Sequence, residues 1–253
     1  MKRTVFGLMA AAAFLFGSSQ PAEATFFMSI SDGTTTVSCT IGGPCDAGFI
    51  QLSTGIVFNG SVGTYSIFTD SSSSNVPGTA TVGLVTNSST SVTNTGGLTS
   101  TLTIITSVTG FTAPPAGNGL LGNTGSASYG PSTAGDNYTI QSWVDTSGVL
   151  HTSAPVAGGT ITTAGPCAVT STGGFVASSA CTNPLVAFSN STPYSLTQLL
   201  TFFIAPNQSG ATINSTGVTA VTSTPVPEPA TLLLLGGGLL GIGASIRRRR
   251  SKA

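Results

Sequence analysis

Few side chains in this sequence could move a proton, hold a metal or attack a bond, and their types narrow the chemistry at once. His151 is the single histidine, so it would have to be the base in any Ser-His-Asp arrangement, and no G-x-S-x-G elbow presents a nucleophile. It stands among Leu150, Thr152 and Ser153 at the end of an extended stretch, where a rim position is expected. Glycoside hydrolysis by paired carboxylates needs two acids at a set separation. Asp136 and Asp145 are the nearest such pair in the central sequence, and both read as turn residues, one before Asn137 and the other shortly before Gly148. Calcium could be held by Asp136, Asn137 or Asp145 with loop carbonyls, but neither EF-hand nor RTX spacing occurs, and no metal or cofactor is expected.

Two further patterns have the letters of a site. Gly117-Asn118-Gly119-Leu120-Leu121-Gly122 matches a dinucleotide fingerprint, but it follows Pro114-Pro115 without a strand leading into it, so a flexible loop is expected. Cys39, Cys45, Cys167 and Cys181 allow three disulfide connectivities. Their spacing favours two local bridges, Cys39 to Cys45 and Cys167 to Cys181. A four-thiolate zinc site would need CxxC knuckles, which are missing.

Charge is distributed unevenly. All seven basic residues, Lys2, Arg3, Arg247, Arg248, Arg249, Arg250 and Lys252, lie near the two ends. Between Thr25 and Val226 five aspartates (Asp32, Asp46, Asp70, Asp136, Asp145) face no Lys or Arg, giving this segment a formal charge of −5 with His151 neutral. A surface without basic side chains cannot neutralise phosphates, which excludes nucleic acid and argues against anionic lipid headgroups. Stability must then rest on apolar burial, backbone ladders, hydroxyl hydrogen bonds and disulfides.

The elements that would position these residues are strands. Short β-branched and aromatic runs recur between Gly, Asn, Asp and Pro: 26–30, 35–41, 48–58, 62–69, 79–86, 98–109, 138–150, 185–188, 194–204 and 211–221. Tyr65 and Ile67 alternate with Ser66 and Phe68, so one set faces a core and the other water. Only Leu196–Ile204 has helical character as well. Gly/Ser/Pro-rich stretches 71–78, 113–135 and 156–174 read as loops. The expectation is an all-β fold, an antiparallel β-sandwich, over residues 25–224. Six N-x-[ST] triplets, at Asn59, Asn87, Asn137, Asn190, Asn207 and Asn214, are weak signals in so hydroxyl-rich a chain.

Both ends read as addresses. Lys2 and Arg3, the apolar stretch 5–16 and Ala22-Glu23-Ala24 form a secretory signal peptide, 1–24, with cleavage after the small residues Ala22 and Ala24. At 225–253, Val226-Pro227-Glu228-Pro229 precedes 17 uncharged residues, Ala230 to Ile246, and then Arg247, Arg248, Arg249 and Arg250. As a helix that run would extend about 25 Å, enough for a short single transmembrane span. The arginines hold its end in the cytoplasm and leave the upstream domain exported.

The order of Pro-Glu-Pro motif, hydrophobic span and Arg cluster resembles the sorting signal of the PEP-CTERM proteins. The resemblance implies recognition by a membrane-embedded exosortase, cleavage near Pro227, and transfer of the exported domain to the cell surface or extracellular matrix. With the sorting and matrix elements supplied by that resemblance, the first expectation is a non-enzymatic structural or adhesive protein associated with exopolysaccharide or biofilm. Short stretches such as Gly60-Ser61-Val62-Gly63 are also similar to a region of some PEP-CTERM proteins that implies no established activity. The alternative is a carbohydrate-binding module or polysaccharide-active enzyme on the same scaffold, using Trp143, Tyr129 or Tyr138 to stack on sugars.

Overall fold

A computed structural model describes residues 24–79, 81–96, 100–130, 135–173, 177–205 and 212–223. The signal-peptide residues 1–23, including Ala22, and the whole tail with Val226, Pro227, Glu228, Pro229 and Arg247 to Arg250 lie outside the described residues. In chain order the strands are β1 (Phe26–Ser31), β2 (Thr36–Thr40), β3 (Phe49–Leu52), β4 (Gly55–Val62), β5 (Tyr65–Ser74), β6 (Val82–Asn94) and β7 (Ser100–Phe111). They continue as β8 (Gly117–Gly130), β9 (Asn137–Asp145), β10 (Ile161–Thr170), β11 (Ala177–Thr182), β12 (Val186–Asn190), β13 (Tyr194–Ile204) and β14 (Thr212–Ser223).

All pairings are antiparallel. Six strands form one sheet in the order β10-β9-β13-β7-β1-β2, and eight form the other in the order β11-β8-β14-β6-β5-β4-β3 with β12 also on β8. The two sheets face each other, as expected of a sandwich. Tyr138 of β9 donates its hydroxyl to the Thr216 carbonyl of β14 at 3.1 Å, and Gln198 of β13 donates to Thr219 Oγ1 of β14 at 2.9 Å. The interior is a continuous apolar cluster that includes Met28, Ile30, Ile56, Phe58, Ile104, Leu200 and Phe202. Alternation generates it. Tyr65 and Ile67 are at most 1 % exposed, whereas Phe68 is 68 % exposed.

Several expected boundaries need correction. Residues 48–58 are not one strand but the β3–β4 hairpin, turning at Ser53-Thr54. The run 138–150 ends as strand at Asp145. Leu196–Ile204 lies wholly within strand β13, hydrogen-bonded to β7 and β9. A central strand covered on both faces shows an almost unbroken apolar run, and such a run reads like a buried helix.

Each of the three stretches expected to be loops contains strand. Ser71 to Ser74 belong to β5, and much of 156–174 is the edge strand β10, whose register shifts between Ala164 and Cys167 around Pro166. Residues 117–130 form β8, paired with β14 on one side and with β11 and β12 on the other. Its glycines are packing residues. A Cβ on Gly119 would come within 2.7 Å of the Phe188 ring, and one on Gly125 within 2.9 Å of Tyr138 and Ile140.

Candidate functional site

Disulfides join Cys39 to Cys45 and Cys167 to Cys181. The second ties β10, an edge of the six-stranded sheet, to β11, an edge of the eight-stranded one. Asn183 reinforces that side by donating to the Gly165 carbonyl. On the opposite side Gln51 of β3 donates to the carbonyls of Thr40 and Gly43 at 3.3 and 3.2 Å and accepts from the Gly42 N–H at 3.0 Å. The β10–β11 seam therefore has a covalent bridge and an amide clamp, and the opposite seam has an amide clamp beside a disulfide local to β2 and the loop that follows it.

His151 does more than occupy a rim. Its Nε2 lies 2.8 Å from Asp145 Oδ2, an ion pair whenever the imidazole is protonated. Asp145 also makes the expected turn, accepting from the Ser147 backbone N–H at 2.8 Å and its hydroxyl at 2.7 Å through Oδ1. Burial raises the Asp145 pKa, but the hydrogen bonds from Ser147, Thr160 and His151 outweigh that effect and hold it below the usual carboxylate value. The His151 N–H donates to Ser107 Oγ at 3.1 Å, and Ser195 Oγ donates to the Val149 carbonyl at 2.7 Å. These bonds fasten the 146–160 connection across the six-stranded sheet, on the row Ser107, Thr197, Trp143. Among the described residues no hydroxyl bonds to the second imidazole nitrogen, so the pair acts as a latch and lacks the geometry of a triad.

The remaining candidates are not brought together. Asp136 immediately precedes β9 and Asp145 ends it, which separates them by roughly 30 Å at about 3.3 Å per residue, too far for paired-carboxylate chemistry. Asp136 instead accepts from the Ala205 N–H at 2.8 Å. Among the described residues no group of three or more His, Cys, Asp or Glu could hold a metal ion. Asn87 and Asn190, at 2 % and 5 % exposure, are closed to glycosylation in the folded chain.

The aromatic side chains proposed for sugar stacking are corrected as well. Trp143, Tyr129 and Tyr138 are all buried, Trp143 within strand β9 and both tyrosines in the apolar cluster between the sheets. Among the described residues Phe68 is the aromatic ring most exposed to solvent, at 68 %. Its outward position follows from the Tyr65 to Phe68 alternation.

A buried polar layer, which the sequence does not signal, lies between the sheets. Asp70 of β5 is fully buried, and Ser89 donates to its Oδ1 at 2.7 Å. Asp70 Oδ2 has no hydrogen-bond partner, and neither has the neighbouring Asn87 Oδ1. Desolvation pushes the Asp70 carboxyl up to about 7, against the opposing influence of Ser89 and Asn87. Asn87 donates to Ser72 Oγ at 2.7 Å, and Ser72 meets Thr106 of the facing sheet at 2.8 Å.

Comparison with known proteins identifies the tail. Residues 225–250 match the PEP-CTERM protein-sorting motif. The motif marks an exported protein that is membrane-anchored as a precursor and sorted by exosortase. No curated protein matches the chain. Among solved structures it aligns with "Structure of infectious bursal disease virus Gx strain" at 11 % identity and a TM-score of 0.15, over 89 % of this chain and 70 % of that one. A likeness that low supports no inference about fold or function.

Proposed function

We propose that this chain is a non-enzymatic surface or extracellular-matrix protein, released from its membrane-anchored precursor by exosortase and associated with exopolysaccharide or biofilm. The observation that carries this reading is the sorting motif at residues 225–250. Three features support it. The strands and turns leave the candidate acids apart, the hydroxyl-rich surface, with no Lys or Arg, has no means of gripping polyanions, and two disulfides, one of them joining the edges of the two sheets, suit a durable extracellular part. The decisive measurement is the intact mass of the protein from its own cells, together with its distribution between membrane and matrix fractions. The reading expects loss of residues 230–253 and recovery in the matrix. A mass that retains those residues refutes the sorting route.

The Asp145–His151 pair favours one competing reading, a polysaccharide-active enzyme. It requires turnover of a glycan panel that Asp145→Asn abolishes. Absence of turnover is the expected result.

A further inference from the structure

Thr25 and Ser223 lie at the same pole of the sandwich. Thr25, just before β1, bonds twice to Thr109 of β7, its N–H donating to Oγ1 at 3.1 Å and its carbonyl accepting from the Thr109 N–H at 2.9 Å. Shortly after, the Thr112 N–H donates to the Pro77 carbonyl at 3.1 Å, in the connection that leads into β6. Ser223, the last residue of β14, completes this path by donating its N–H to the Thr81 carbonyl at 3.3 Å. The 146–160 connection belongs to this pole as well, because Asp145 pairs with Ser195 on one side and Ile161 on the other, next to the Tyr194–Phe111 pair. So does the Ser53-Thr54 turn, which shares a pocket of about 80 Å³ with Ala24, Phe26 and Val76.

This pole exposes apolar side chains and little charge. Leu52, just before the Ser53-Thr54 turn, is 49 % exposed, and Val149 and Val156 of the 146–160 connection are 53 % and 84 % exposed. Among the described residues its one ionisable pair is Asp145 with His151. The other aspartates lie elsewhere. Asp32 begins the β1–β2 turn at the opposite pole and Asp136 precedes β9 there, Asp46 bonds to Ser38 of the edge strand β2, and Asp70 is interior. The length of chain beyond Ser223 limits what this pole can meet. Ala230, the start of the uncharged run, is seven positions after Ser223, a step that reaches about 25 Å when fully extended. β14 alone has 12 residues and extends roughly 40 Å. The tether is too short for the opposite pole to face the membrane.

We propose that in the membrane-anchored precursor this pole, with Leu52, Val149 and Val156, lies against the lipid surface. The proposal rests on the anchored precursor described above and adds the surface that the anchor brings into contact. Apolar side chains at a headgroup boundary lose water without desolvating a charge, whereas Asp32 at the other pole would be penalised there. The domain has no Lys or Arg with which to grip headgroups. Three apolar side chains therefore engage the lipid only while the tail keeps them close to it, and cleavage of the tail frees the domain.

The test uses the full-length precursor from cells lacking exosortase, reconstituted in phosphatidylcholine vesicles that carry a nitroxide on the headgroup. A single added cysteine bears a fluorophore, through Val156→Cys at the apolar pole or Thr34→Cys in the β1–β2 turn at the other. Flotation of the vesicles first establishes anchoring. Quenching at position 156 should exceed that at position 34 by roughly threefold or more, and Leu52→Asp with Val149→Asp should bring it down to the level at 34. If that double variant lowers the thermal midpoint, the comparison of the two labels alone decides. Equal quenching at both positions, or none at either, in a precursor that floats overturns the proposal and leaves the sorting route standing. A precursor that does not float refutes the anchored state, and the proposal falls with it. Quenching at 156 that requires added exosortase assigns the pole to that enzyme and overturns the proposal. So does shielding of position 156 from iodide in the processed, lipid-free protein, which assigns the pole to a second copy.

Discussion

Replacing Asp70 by Asn should stabilise the protein, increasingly as pH rises from 3.8 to about 7 and by a constant amount above that. Asp70 is fully buried, and no Lys or Arg exists in the domain to compensate its charge. Its carboxyl titrates near 7 in the folded chain against 3.8 when solvated. Between those values the folded state holds a proton that the unfolded state has released, so stability falls as pH rises through this window and is level above it. A separation of roughly three pH units at 1.36 kcal/mol each amounts to about 4 kcal/mol. For a domain of this size that corresponds to a thermal midpoint about 10 °C lower at pH 8 than a neutral side chain would allow. Asp70→Asn removes the ionisation, and its amide can donate to Asn87 Oδ1, which has no partner. Thermal unfolding followed by circular dichroism at pH 4, 6 and 8 should show the variant gaining on the native protein as pH rises. A variant destabilised equally at every pH would mean that Asp70 is a satisfied carboxylate, and the reasoning would fail.

Two other perturbations have calculable outcomes. Changing both Cys167 and Cys181 to Ser should lower stability by roughly 3 kcal/mol, the chain-entropy value for a loop of about 15 residues, as measured by denaturant unfolding under non-reducing conditions. His151→Ala should loosen the 146–160 connection at a modest cost of about 1 kcal/mol, because the imidazole is partly solvated. Trp143 is the single tryptophan of the chain and lies on the row that this connection crosses. Its emission should shift to longer wavelength in the variant, and an unchanged spectrum would show that the latch does not shield it.

The sequence reveals this fold where side chains alternate and conceals it where glycine replaces them. β5 and β7 were legible because Tyr65, Ile67, Leu102 and Ile104 recur at every second position. β8 was not legible, because Gly119 and Gly125 are small to make room for Phe188, Tyr138 and Ile140, residues distant in the chain. Pro166 concealed β10 in the same way, since a proline is tolerated at an edge that cannot be recognised before the sheet order is known. The cysteine pairing was legible because each pair is local. The Asp145–His151 contact spans six residues and could have been suspected from the turn at Ser147-Gly148. The Asp70 layer could not, because its members come together only when two sheets stack.

The two disulfides also bear on the order in which the molecule can be made. β1 pairs with β7, whose residues follow it by some 80 positions, and β14 completes the eight-stranded sheet last, between β6 and β8. Such distant pairings close slowly and leave strand edges exposed meanwhile. Many proteins guard those edges with lysines, and this domain has none. Cys39 and Cys45 are only six residues apart, and Cys167 and Cys181 fourteen. Each pair emerges from an export channel almost together and can join without waiting for a distant partner. An oxidising compartment thereby supplies as covalent chemistry, early, the edge protection that other sequences carry as charge.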